Sequence, residues 1–377
     1  MTTVRRITVY QELSELASAW NELARGVPFR QWEWLHSWWE EFGETSELYT
    51  LTVRDDHDKL LGVAPWYIEN SSTRGRVIRF LGSGSVCTDY QSLLCRREDS
   101  QTVAGAIANW LKQAGSSTVI ANGNDGWDLI DLEGIDAEDA TITALTESLK
   151  QTGVNVWETP GLNCWRLPLP RTIPDFVSLF GKSSKSQVKR MINRLAKSDD
   201  LQVGLVSTRE ELDSIWGKFV ELHQRRWRSL GHPGCFHDSR FERFLRKTSE
   251  RMYDSGQLQI FWLSQNEKVV AVHYHVVGDR IAYLYQSGID PDELATSPGR
   301  LLFAHVLTHG VNNDWSAYDF LRGDESYKAW WRAEPRVSIQ VHAVAAKRSA
   351  QLRYGMWSAG ETLKDWMKSG MEMTGLR

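Results

Sequence analysis

The chain has 377 residues, 41% of them hydrophobic and 24% charged, with a net charge of −4. That length exceeds one compact core and predicts two domains, while the acidic balance excludes a global basic field for nucleic acid and leaves only local patches. Met1–Tyr10 holds no apolar leader and no apolar run reaches the roughly 18 residues of a membrane span, so the expectation is a cytoplasmic protein whose Cys87, Cys95, Cys164 and Cys235 stay reduced.

Residues 4–10 read as a short strand, and Leu13, Leu16, Ala19, Trp20 and Leu23 have helical spacing. The run FRQWEWLHSWWEEFG (29–43) puts Trp34, Leu35, Trp38, Trp39 and Phe42 on one helical face, and contributes to an unusual total of 18 tryptophans. The stretch LYTLTVRDDHDKLLGVAPWYIE reads as a hairpin turning at Asp55–Lys59. Residues 77–82 form a further strand, 101–114 a helix, 117–122 (STVIAN) a strand and 137–152 a helix.

Pro168, Pro170 and Pro174 mark a linker, followed by a helix bearing Lys182, Lys185, Lys189, Arg190, Arg194 and Lys197 without an acid among them. The second half then repeats the order of the first. Helices are expected over 207–227, with a capping box at Ser207 or Thr208, and over 240–256. Three strands follow, turning at Gln265–Glu267 and at Gly278-Asp279; then come a helix closed by Gly310 and the strand SAYDFLRG. Two copies of helix–helix–hairpin–strand–helix–strand argue for duplicated domains rather than a solenoid. The boundaries are expected at 1–165, 166–200 (linker and basic helix), 201–346 and 347–377 (helical tail).

Chemistry concentrates in two stretches. In YLYQSGIDPDELATSPGRLL (283–302), Ser297 is placed to cap a helix and Pro298 to open it. Gly299 leaves the backbone approachable, and Arg300 adds charge to a first turn that already favours anions, which makes sense if a phosphate docks there. In YDFLRGDESYKAWW (318–331), a strand breaks at Arg322-Gly323 into a polar loop before two tryptophans. Asp319 alternates with Tyr318 and Phe320 and so faces the other side of the strand. His273 with His275 and His305 with His309 share faces, but no acidic or thiol partner lies at ligand spacing, and no metal is expected.

From about Phe29 to Ala346 the chain resembles the GNAT-type acetyltransferases of the CelD (cellulose-biosynthesis protein) group, which is itself similar to the Fem peptidyltransferases. The carriers are FRQWEWLHSWWEEFG, SQVKRMINRL, SPGRLL and YDFLRGDESYKAWW. The resemblance implies an α/β (α+β) fold of two tandem GNAT-like domains, each a mixed, mainly antiparallel sheet flanked by helices. It also implies acyl-CoA chemistry, with acetyl-CoA as cosubstrate. The strand at 281–287 would splay to receive the pantetheine arm, and the helix at 299–310 would hold the pyrophosphate, so Gln286, Ser297, Gly299, Arg300 and Leu301 would bind the cofactor. The usual Arg/Gln-x-x-Gly-x-Gly/Ala loop is reduced here to a single glycine, Gly299. The first copy has no counterpart of SPGR ahead of its helix at 101, so the second copy is the expected site.

Acyl transfer needs a base, a proton donor and positioning. Asp319 and His273 are the candidate bases, and Tyr285 the candidate donor to the leaving thiolate. Arg226, Trp227, Arg322, Asp324, Tyr327 and Lys328 are candidate acceptor contacts, while Trp330 and Trp331 lean towards core. The expected acceptor is a small molecule or glycan precursor, of polysaccharide or cell-envelope type, or a related amine or alcohol; nucleic acid is not the expected partner. Two alternatives stand beside this: a non-catalytic binding protein for glycan or nucleic acid, and a Fem-like transferase taking its acyl group from aminoacyl-tRNA.

Overall fold

The computed structural model describes residues 2–116 and 125–373; the strand expected at 117–122 lies outside the described residues. The chain divides into two compact units that are not contiguous in sequence. One comprises Met1–Ala24, Phe42–Gly161 and Ser338–Arg377, the other Arg25–Glu41 and Leu162–Val337. Each has mixed, mainly antiparallel sheet flanked by helices, as the sequence led us to expect.

The first unit carries two sheets. Thr3–Ile7, Thr50–Arg54, Leu60–Ala64 and Leu94–Cys95 form one; Glu47–Leu48, Trp66–Ser71, Gly75–Phe80, Leu129–Asp136, Ser338–Val344 and Asn155–Pro160 form the other, in that order. The single hairpin run expected from Leu48 to Glu69 is therefore divided at Pro65. Proline has no N–H for a ladder, so the chain leaves one sheet at Ala64 and enters the other at Trp66. Strands Gly75–Phe80 and Leu129–Asp136 are parallel and pair only at Val77↔Leu129 and Ile78↔Ile130. Beyond that point Gln91, 1% exposed, bridges the gap. Its backbone N–H donates to the Gly134 carbonyl at 2.9 Å and its side-chain amide to the Leu81 carbonyl at 2.9 Å.

In the second unit seven strands form one sheet. In chain order they are β1 (Cys164–Pro168), β2 (Leu201–Leu205), β3 (Leu258–Gln265), β4 (Lys268–Gly278), β5 (Ile281–Ile289), β6 (Ala317–Arg322) and β7 (Glu334–Arg336), and across the sheet they run β2-β3-β4-β5-β6-β1-β7. All neighbours are antiparallel except β5 and β6. The helices are α1 (Trp32–Phe42), α2 (Ile173–Ser178), α3 (Lys182–Lys197), α4 (Arg209–Ser229), α5 (Ser239–Asp254), α6 (Pro298–Asn312) and α7 (Ser326–Trp330).

The capping box forms at α4. Thr208 Oγ1 accepts the Glu211 N–H at 3.1 Å and Glu211 Oε2 accepts the Ser207 N–H at 2.9 Å, two otherwise orphaned donors. Helix α6 is apolar on nearly every side, with Leu301, Leu302, Phe303, Ala304, Val306 and Leu307 buried against the sheet. On the opposite face Gly288 lets α4 lie close to β5. A Cβ there would stand 2.9 Å from the Phe219 carbonyl and 3.0 Å from the His223 nitrogen, so the contact exists only because that side chain is absent.

Candidate functional site

The site begins with a fault in the sheet. Along β4 and β5 the pairs run Tyr274↔Gln286 and then His275↔Leu284, which leaves Tyr285 as an extra residue. Such a bulge bends and twists its strand. On its other edge β5 pairs with β6 at Ile281↔Ala317, Ala282↔Tyr318 and Tyr283↔Asp319 and no further, although β5 continues to Ile289. The strand therefore parts from its parallel neighbour where the bulge lies, and backbone groups past Tyr283 are turned away from β6.

After β5 the chain enters α6 through Ser297, which sits in the left-handed region (φ 58°) and makes no side-chain cap. The cap expected of Ser297 is thus not formed, because the left-handed backbone turns its hydroxyl from the first N–H groups. Gly299 is buried, and a Cβ on it would stand 2.7 Å from Ile289 Cδ1, so the glycine also serves helix-on-strand packing. Arg300 is exposed and lies 4.3 Å from the Trp330 ring centre, a cation–π stack. Between α3 and the α6 start is a cavity of about 350 Å³ lined by Gln187, Arg190, Arg194, Thr296, Ser297, Arg300 and Leu301 among others. Its lining holds three arginines and no carboxylate, and Arg194 Nη1 donates to the Thr296 carbonyl at 3.3 Å. Uncapped N–H groups, a helix N-terminus and three guanidinium groups converge on an anion-binding geometry.

The other face of the sheet near the parting is aromatic and charged. Asp319 is fully buried. Its Oδ2 accepts Arg166 Nε at 2.7 Å and its Oδ1 accepts the Leu321 N–H at 2.8 Å. Arg166 also lies over the Tyr283 ring, 5.9 Å from its centre, and burial pushes the Tyr283 hydroxyl up to about 12. Tyr285 packs edge-on to Trp34 (4.8 Å between ring centres) and against Phe29 and Phe241. The N-terminal aromatic run thus supplies one wall of this site.

The loop after β6 is held by one lysine. Leu321 has φ 57° and Gly323 φ 110°, a turn that gathers three successive carbonyls. Lys328, 1% exposed, donates to the Leu321, Arg322 and Gly323 carbonyls at 3.0, 2.7 and 2.9 Å and pairs with Glu325 at 2.9 Å. The expected acceptor contact Lys328 is turned inward and its ammonium is spent on the loop. Asp324 accepts Trp165 Nε1 at 3.0 Å. Arg322 is half-buried at the end of β6. Tyr327 packs on Phe303 and Phe320 with its hydroxyl pushed well up by burial. Trp331 is fully buried, stacked edge-on to Trp330 at 4.8 Å.

The remaining candidates scatter. His273 is fully buried on the α6 side, 4.4 Å from the Phe303 ring, and burial holds its pKa well below the usual value; it faces the core rather than the parting of β5 and β6. Leu301 is buried beside the arginine-lined cavity. Arg226 and Trp227 lie at the C-terminal end of α4, with Trp227 40% exposed. Gln286 faces α4, its Oε1 3.2 Å from His223 Nε2. Sequence reasoning missed Arg166 and His223. Arg166 had no signal, since it reaches Asp319 only through the pairing of β1 with β6; His223 sat unremarked inside the arginine-rich run at the end of α4. Among the described residues no group of three or more His, Cys, Asp or Glu side chains is arranged to hold a metal ion, and no helix is long and apolar enough to cross a membrane.

Residues 182–329 match the family model described as an acetyltransferase (GNAT) domain. No curated protein matches the chain. Among solved structures, FemX is similar at 12% identity over 94% of this chain and 99% of its own, with a TM-score of 0.62. A conserved protein of unknown function from Bacteroides thetaiotaomicron VPI-5482 is similar at 12% identity over 91% of this chain and 100% of its own, TM-score 0.54. The C-terminal domain (DUF2156) of an Agrobacterium fabrum protein named as a lysylphosphatidylglycerol synthetase is similar at 9% identity over 93% of this chain and 96% of its own, TM-score 0.53. At these identities the likeness is one of fold. Residues 182–329, with their parted parallel strands and the helix that follows them, thus match the model of an acetyltransferase (GNAT) domain, in a chain whose fold is similar to that of FemX.

Proposed function

We propose that the protein is an acyl-CoA-dependent acyltransferase, with acetyl-CoA as donor and an amine or hydroxyl of a polysaccharide or cell-envelope precursor as acceptor, working in the cytoplasm. The observation that carries the reading is the parting of β5 from β6 after Tyr283↔Asp319. Opened backbone there can pair with the amides of a pantetheine arm, and the arginine-lined N-terminus of α6 then receives the pyrophosphate. In the first unit Gln91 already bridges the corresponding gap, which favours the second unit as the donor site. Exposed Trp227 beside Arg226 offers a flat face and a charge to a glycan acceptor.

Acetyl-CoA at about 100 times its Kd is expected to stabilise the second unit by about 2.7 kcal/mol, a Tm rise of roughly 5–10 °C, read by differential scanning fluorimetry. Arg300→Glu reverses one charge at an exposed position and is expected to abolish the rise while leaving the unliganded Tm within a few degrees. Gly299→Glu should abolish it too, but it also forces Ile289 aside, so Arg300→Glu is the cleaner variant. A wild-type protein that gives no shift at millimolar acetyl-CoA would remove the acyl-CoA reading.

Asp319 is the proposed base towards the acceptor. Both its oxygens are engaged, so that role requires Arg166 to turn from it when the acceptor binds. Asp319→Asn is expected to keep the acetyl-CoA shift and lose about 10²–10⁴ in kcat; unchanged turnover takes Asp319 out of the mechanism.

One observation favours a second donor, an aminoacyl ester on RNA. Helix α3 carries Lys182, Lys185, Lys189, Arg190, Arg194 and Lys197 without an acid, and Arg190 and Arg194 line the same cavity as Arg300. RNA binding that weakens steeply with salt, in a protein indifferent to acetyl-CoA, would select this donor instead.

A further inference from the structure

Beside the bulge of β5, on the α4 face, lies a thiol–imidazole pair that the direct-transfer reading does not use. His223 is 1% exposed, and its Nε2 stands 3.4 Å from Cys235 Sγ and 3.2 Å from the Gln286 side-chain amide. Its Nδ1 is 3.2 Å from Gln224 Oε1. The Gln224 amide nitrogen donates to the Pro233 carbonyl at 3.0 Å, which turns Oε1 towards the ring and places the imidazole proton on Nδ1. Nε2 therefore carries the lone pair, which requires the Gln286 amide to turn its nitrogen to the ring, and the Cys235 thiol is the second donor within reach of it. Burial keeps the ring neutral, lowering its pKa to about 4.

The chain around Cys235 is built to hold it there. Gly234 has φ 74°, a conformation that favours glycine, and a Cβ at that position would displace Gln224 Oε1 from its place beside the ring. Phe236 is buried edge-on to the His223 ring at 4.9 Å and against Phe219 at 5.4 Å. Cys235 itself is half-buried and carries no disulfide. Gln286 belongs to the part of β5 that has left β6, so the pair abuts the place where the donor's carbonyl is expected.

We infer that Cys235 is an acyl-accepting nucleophile, with His223 as its base, so that transfer proceeds through a cysteine thioester. The inference rests on the acyl-CoA reading. In the first step the Cys235 sulfur bonds to the acyl carbon, the bond from that carbon to the CoA sulfur breaks, and the thiol proton passes through His223 Nε2 to the CoA thiolate. In the second step the acceptor nitrogen or oxygen bonds to the same carbon, the Cys235 sulfur leaves, and the proton lost by the acceptor is returned to the sulfur. One thioester replaces another, so no oxidant or reductant is needed.

The test uses the full chain with acetyl-CoA and no acceptor, quenched in acid, with intact mass and peptide mapping. The mass gain of one acetyl group is expected on the peptide of Cys235, released by neutral hydroxylamine, lost in Cys235→Ala and slowed about a hundredfold in His223→Gln. Acetyl-CoA thermal shift is measured on the same samples. A shift without an adduct overturns the thioester and leaves direct transfer standing. Neither shift nor adduct overturns the donor assignment and this inference together. Equal labelling of exposed Cys87 marks unassisted chemistry and overturns the role of the pair. If His223→Gln fails to fold, competition decides: a Cys235 labelled no faster than Cys87 in the wild-type protein is the overturning result.

Discussion

Lys328→Met is expected to lower the stability of the second unit by about 3–5 kcal/mol, a fall of roughly 10 °C in Tm. The ammonium is buried and donates to three successive carbonyls as well as to Glu325. Methionine has similar length but no donor, so those carbonyls are left without their shared partner, and each unsatisfied buried group costs about 1–3 kcal/mol. The loss also removes one of the groups that hold the backbone of left-handed Leu321, the other being the Asp319 carboxylate. Glu325→Gln, at the exposed end of the same pair, should change stability by less than about 1 kcal/mol. Thermal and urea unfolding of the two variants check this. An unchanged Tm in Lys328→Met together with a raised KM for the acceptor would restore Lys328 as an acceptor contact.

Acidification should destabilise the second unit from about pH 6.5 downward, before its carboxylates begin to titrate. His223, His273 and His275 are each about 0–1% exposed, and burial lowers all three below the ordinary 6.5, to about 4 for His223 and about 3 for His275. Between those values and 6.5 the unfolded chain binds protons that the folded chain refuses. Stability is therefore complete above pH 6.5 and falls as pH drops, by about 1.4 kcal/mol per pH unit for each histidine. By pH 4 His223 and His275 have each removed about 3 kcal/mol, and His273 acts in the same direction, together a large part of the stability of a domain. Urea unfolding between pH 6.5 and 5 isolates the effect, because carboxylate pairs contribute below that window. His223→Gln should flatten the slope by about one proton's worth; a wild-type stability independent of pH in this window would show that the histidines are hydrated in the folded state.

Much of the local structure was legible. The hairpin strands at 258–278, the amphipathic helix 209–229 with its capping box, and the Ser-Pro start of the helix at 298 each follow from periodicity or from a neighbour three residues away. The place of Arg300 in the first turn of that helix was legible for the same reason, since it follows Ser297-Pro298 directly. The strands Leu129–Asp136, Asn155–Pro160 and Ser338–Val344 were not read at all. Each is built by pairing with partners far along the chain, and Ser338–Val344 completes the sheet of the first unit although it follows the second.

By itself, then, the sequence determined most elements of the second half and their GNAT-like order. Only the tertiary structure decided what the polar groups of YDFLRGDESYKAWW do: Asp319 is committed to Arg166 across a strand pair, and Lys328 to three carbonyls in a turn. It also decided that Gly299 makes room for Ile289, that Phe29 and Trp34 wall the aromatic face, and that His223 meets Cys235. The physical reason is the same in each case. Helix and strand periods are set by the backbone over a few residues, whereas a side chain's partner is set by register, crossing and bulge, which emerge only when distant segments pack.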